Sequence, residues 1–172
     1  MDNLVSQSTQ EALMEFIKQC FVMNRFLDRA VSVLGVKFAM NQAANLIHHG
    51  LAHAYPNLSD IAGEKCLEAY NISVIYGETP KGNEDYSTVT ECIHEINKRT
   101  IDFQTLTIGV CKIARDNNDL QVYADMLDIL KKINEYVAQT ILLEDKIELY
   151  GENRIVEFDH DVKDFWILKE AY

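Results

Sequence analysis

Apolar residues recurring every three or four positions, in runs far longer than a strand, constrain this chain most. Leu13, Ile17, Cys20, Asn24, Leu27, Val31 and Leu34 form one such series, the stripe of an amphipathic helix. Ser8-Thr9-Gln10-Glu11 offers hydroxyls and a first-turn carboxylate to cap it. A second series, Val36, Met40, Ala43 or Ala44, Ile47, Leu51 and Ala54, follows with its face turned by about 160–180° at about 100° per residue. Either the chain turns near Gly35, or one long helix is buried on two sides. With 2 prolines and 7 glycines in 172 residues, little interrupts these series, which argues against a many-turned all-β fold.

Further along, Pro56 is expected to end the second helix, and Asn57 and Ser59 to cap the next, over residues 58–76. Residues 77–83 read as a loop and 77–85 as the connection. A third long helix spans 86–115, with Val89, Cys92, Ile93, Ile96, Phe103, Val110 and Ala114 facing the core. A fourth spans 119–150, with the stripe Leu120, Tyr123, Leu127, Leu130, Val137 and Ile141, and Gly151 as its stop. The expectation is an all-α antiparallel bundle over residues 1–151. A tail at 152–172, carrying Phe158, Phe165 and Trp166, packs on it as a short helix.

The net charge of −11 disfavours nucleic-acid binding by repelling phosphate backbones. No run approaches the roughly 20 apolar residues of a membrane helix, and the first residues have no signal-peptide pattern. Cys20, Cys66, Cys92 and Cys111 are isolated and read as reduced core thiols of a cytoplasmic protein.

Chemistry is densest at His48-His49-Gly50-Leu51-Ala52-His53, followed by Asp60 and Glu64. Imidazole with carboxylate suits iron, zinc or manganese. His49 and His53 are four apart, as are Asp60 and Glu64, and a turn at Pro56 would let two helices present all four to one ion. Against this, His49 and His53 point away from the Ile47–Leu51 stripe, which is also what a solvated helix end does. Glu91-Cys92-Ile93-His94 is an ExxH sequence, but both ends sit about 150° from the core stripe, so they should face outward. Glu144 and Glu148 continue the expected stripe of the fourth helix inward, where a carboxylate needs a partner or a metal.

With its long helices, its histidines near Pro56-Asn57 and the acidic helix beyond, the chain resembles the ferritin-like superfamily, nearest to Dps-like mini-ferritins. The resemblance implies a ferritin-like four-helix bundle with a short C-terminal tail helix, assembled as a homo-oligomer. It implies iron bound by His48 or His49 with Asp60 and Glu64, and ferroxidase chemistry that oxidises Fe(II) and stores the product. Departures are plain: no tryptophan follows the first histidine, an aspartate stands where the second histidine would be, and Ile72-Ser73-Val74-Ile75 replaces the later acidic pair. The superfamily's topology needs a connection as long as the bundle, and nine residues reach at most about 30 Å, so a plain up-down bundle remains open. The alternative function is a non-enzymatic helical interaction protein without a metal site.

Overall fold

The computed structural model describes residues 3–169. Six α-helices order the chain: α1 (Gln7–Phe38), α2 (Asn41–Ile47), α3 (Ala54–Cys66), α4 (Val89–Asp116), α5 (Leu120–Tyr150) and α6 (Ile155–Asp161). A π-helical turn, His48–Ala52, joins α2 to α3, so that 41–66 is one rod. This rod, α1, α4 and α5 form a four-helix bundle in which α1 packs on α3 and α4, and α5 packs on α4 and α3. No strand occurs among the described residues.

The first corner lies at neither Gly35 nor Pro56. Gly35 is inside α1, where a Cβ would meet Asn41 and Ala44 at an ordinary 3.8–3.9 Å. The helix ends four residues later, at Ala39, whose φ of 56° is left-handed. Met40 N–H closes the end by donating to the Leu34 carbonyl (2.9 Å), which the Ala39 N–H also reaches, so a left-handed residue satisfies the last carbonyls.

Pro56 is the third residue of α3 and ends nothing. Proline cannot donate to the carbonyl four residues back, and its ring crowds that carbonyl. Here that carbonyl belongs to Ala52, in the π turn, where His53 N–H reaches back five residues to His48 (3.2 Å). Asn24 on α1 supplies the missing donor, its side-chain amide lying 3.0 Å from the Ala52 oxygen. The rod therefore continues through the proline.

The expected helix over 58–76 stops early. α3 ends at Cys66, a short 3-10 turn follows, and Asn71 is left-handed at φ 61°. Asparagine tolerates that region. The next five residues include β-branched Ile72, Val74 and Ile75, which favour extended backbone. Residues 72–88 form no regular element and run beside α1 as a strap. Gly63 meets Val74, Gly77 lies on Lys18, Gly82 lies on Arg25, and the Glu84 carbonyl accepts from Arg29 (2.7 Å). Lys37 reaches Asp85 (2.9 Å). Nineteen helical residues from Lys18 to Lys37 span about 28 Å, and eight extended residues from Gly77 to Asp85 cover about the same. The strap is thus the long crossover of ferritin topology, not an up-down turn. It delivers α4 antiparallel to α1: Arg99 stacks on Phe26, Phe16 packs on Phe103, and Asn117 bonds Ser8 and Thr9.

Two expectations for helix starts change. Ser8 and Thr9 accept from Asn117 instead of capping α1, whose N-cap is Ser6, held by Asp119. At α4, Thr88 accepts from Glu91 N–H (3.1 Å), and Glu91 accepts from Ser87 N–H (2.7 Å). Glu91, the first residue of the ExxH sequence, is a capping residue.

The tail folds back. Phe158 is buried, and the buried Gln139 of α5 accepts from Ile167 N–H (2.6 Å) and donates to the Phe165 carbonyl (3.3 Å). Residues 170–172 of the expected tail lie outside the described residues.

Candidate functional site

The residues expected as metal ligands fall in three places. The first is the π turn. In a regular helix His48 and His53 would stand about 140° apart. The extra residue of the π turn shifts His53 back by one position, which puts it above both His48 and His49. The three rings meet, with centroids 4.4 Å apart for His48–His53, 4.7 Å for His48–His49 and 5.3 Å for His49–His53. All three are partly exposed. Across the groove, Asp28 of α1 stands 3.9 Å from Nε2 of His48.

Asp60 and Glu64 do not join them. With no turn at Pro56, the two carboxylates lie further along the same rod and are exposed.

The third place lies between α4 and α5. The buried face of α5 is Val122, Met126, Ile129, Ile133, Val137, Thr140, Leu143 and Ile147, not the Leu120–Ile141 stripe read from the sequence. Leu120 and Ile141 are exposed. With the phase corrected, Glu144 is partly buried and Glu148 is exposed, so neither is core-facing. Both turn to His94, which faces outward as expected: Nδ1 contacts Glu144, and Nε2 is 2.7 Å from Glu148. Asn97 donates to the other Glu144 oxygen and accepts from Thr140 (3.0 Å). The chain of contacts runs from a buried hydroxyl to a surface imidazole and ties the two helices. With a carboxylate at each nitrogen, the ring bridges α4 and α5.

The heart of the bundle is different again. Tyr55 comes from the rod, Cys20 and Phe16 from α1, Phe103 and Thr100 from α4, and Tyr136 from α5. Tyr55 packs edge-on to Phe103 (5.0 Å) and near Tyr136 (5.9 Å). Its hydroxyl is buried beside the Thr100 hydroxyl, which itself donates to the Ile96 carbonyl (2.8 Å). Burial pushes the Tyr55 phenol and the Cys20 thiol well up, and raises Tyr136 to about 12. All three stay protonated near neutrality.

No protein-family model matches the chain, and no curated protein matches it by sequence. Its fold does match solved structures. An open pore ferritin from the hyperthermophilic archaeon Archaeoglobus fulgidus superposes with a TM-score of 0.86 at 11% identity, covering 97% of this chain and 99% of that one. A humanized archaeal ferritin gives 0.85 at 11%, over 96% and 99%. An engineered closed form of the A. fulgidus ferritin gives 0.83 at 11%, over 97% and 99%. The chain therefore has the ferritin-like four-helix-bundle fold.

Iron is the metal the resemblance implies, and the bundle interior does not fit it. Hard iron sites in bundles take inward-pointing carboxylates and imidazole. Among the described residues, Asp119 is the one buried carboxylate and no histidine is buried. Asp119 sits at the α4–α5 corner, bonded to Ser6. The central side chains are a cysteine, two tyrosines, a threonine and two phenylalanines, not the carboxylates and imidazoles of such sites. Among the described residues, no group of three or more His, Cys, Asp or Glu is arranged ready to hold a metal.

Proposed function

We propose that this chain is a non-catalytic member of the ferritin-like fold, working by self-association and not by oxidising iron within its bundle. One observation carries the reading: the centre of the four helices is filled by Cys20, Tyr55, Thr100, Phe103 and Tyr136, without a carboxylate or imidazole. Self-association is supported by apolar side chains that the monomer leaves exposed at one end of the bundle. Val36 closes α1, Leu149 closes α5 and Val156 opens α6, and they are 87%, 73% and 79% exposed. Four unpaired buried thiols suit a reducing cytoplasm. No helix of the described residues is long and apolar enough to cross a membrane.

The test combines two measurements on the full chain. Light scattering is expected to give a mass above the 19.7 kDa protomer, lowered by Val36→Asp or Leu149→Asp. Aerobic Fe(II) oxidation is expected to run no faster than in buffer. Saturable, stoichiometric oxidation of Fe(II) by the purified chain would overturn the proposal.

A further inference from the structure

We propose that the C-terminal segment around Phe165-Trp166-Ile167 is a latch. It docks on the outside of the bundle, opens as a unit while the four helices stay folded, and gates the groove between the rod and α5.

The first argument is the socket. Gln139 lies on the buried face of α5 and is itself fully buried. Both ends of its amide are bonded to the tail: Oε1 accepts from Ile167 N–H (2.6 Å), and Nε2 donates to the Phe165 carbonyl (3.3 Å). One glutamine thus holds the backbone on either side of Trp166. Gly50 of the π turn receives the indole. A Cβ there would stand 2.7 Å from the Trp166 ring carbon Cζ2 and 3.1 Å from its Nε1, so a larger residue must push the indole away. Glycine inside a helical rod is unfavourable relative to alanine, and here its bareness makes room for Trp166.

The second argument is the weakness of the grip beyond its anchor. Phe158 and Val162, which precede the segment, are fully buried. After them no described residue is buried: Phe165, Trp166 and Leu168 are partly exposed, and Lys163, Asp164, Ile167 and Lys169 are exposed. Segments with few buried contacts open at a much lower free energy than the core on which they rest. Opening also leaves no orphan at Gln139, because water replaces the two bonds once the tail has left.

The third argument is what the latch covers. Ile167 and Leu168 form one side of a groove of about 530 Å³, and Gly50, Ala54, Leu58 and Tyr136 line the rest. Tyr136 leads inward, its ring 5.9 Å from that of Tyr55 at the centre of the bundle. The open latch widens this path from the surface, and the closed latch narrows it.

Trp166 is the one tryptophan of the chain, so its fluorescence reports the latch directly. In the full chain, urea is expected to red-shift the emission before helical circular dichroism is lost. The Ile167 amide proton is expected to exchange with heavy water faster than those of Val137 and Leu143 in α5. Asn24→Leu, which disturbs the α1–rod interface, should leave the Ile167 rate unchanged. Gly50→Ala should red-shift the emission with helix content intact, and Gln139→Leu should raise the Ile167 exchange rate by about tenfold or more. Coincident fluorescence and circular dichroism transitions, an Ile167 proton as slow as those of α5, or an unshifted emission in a folded Gly50→Ala variant would each overturn the proposal. Should Gly50→Ala not fold, the exchange rate in Gln139→Leu decides in its place. These readouts are independent of the mass and Fe(II) oxidation measurements that test the function proposed above.

Discussion

Asn24 shows how one polar side chain decides a helix. It sits in the apolar stripe of α1, where the sequence alone gives it no role beyond keeping the period. Its amide replaces the donor that Pro56 lacks, so the Ala52 carbonyl is not left bare inside the α1–rod interface. Leaving such an acceptor unpaired costs about 1–3 kcal/mol. Asn24→Leu is therefore expected to lower stability by about that amount in urea denaturation, more than its gain in apolar surface returns. A variant as stable as the parent would show that water reaches the carbonyl. Proline was legible as a disturbance, but whether it ends a helix or is absorbed depends on a donor 32 residues away. For the same reason the histidines were legible as a cluster while their common face was not, because the π turn resets the phase that spacing arguments use.

Among the elements, α1 and α4 were legible nearly to their ends, because each has a single apolar face. The case of α5 differs: Leu120, Tyr123, Leu127 and Ile141 mimic a core stripe beside the true one through Val122, Met126 and Ile129. Two overlapping stripes leave the phase ambiguous, and the roles of Glu144 and Glu148 inherited that ambiguity. The end of α3 was signalled by Asn71 before a β-branched run, a local cue that the apolar period overrode. The corner after α1 yields a second prediction. Ala39 holds a left-handed φ of 56°, which costs a residue with a Cβ about 1–2 kcal/mol. Ala39→Gly should raise the thermal midpoint, with a net gain of about 0.5–1 kcal/mol after glycine's greater unfolded-state entropy. A lower midpoint would mean that the Ala39 methyl contributes packing that outweighs the strain.

For the whole molecule, the neutral interior predicts where stability fails. Burial raises Cys66 and Cys92 from 9.0 to about 12, Tyr136 from 10.0 to about 12, and Cys20 and Tyr55 upward as well. Above the ordinary values the unfolded chain releases protons that the native chain keeps, so it binds fewer protons and stability falls with rising pH. The contribution is intact below pH 9 and is lost progressively between about pH 9 and 12. Denaturant midpoints measured from pH 7 to 11 should stay level as far as these groups are concerned, then decline above 9. A midpoint unchanged to pH 11 would contradict the burial. The same packing makes the strap a tether more than a wall. α1 with its rod, and α4 with α5, are two helical hairpins that meet face to face, and the strap links them along one edge. A chain cut near Lys81 would keep both hairpins and every layer of the interior, so the two pieces carry between them what is needed to reassemble.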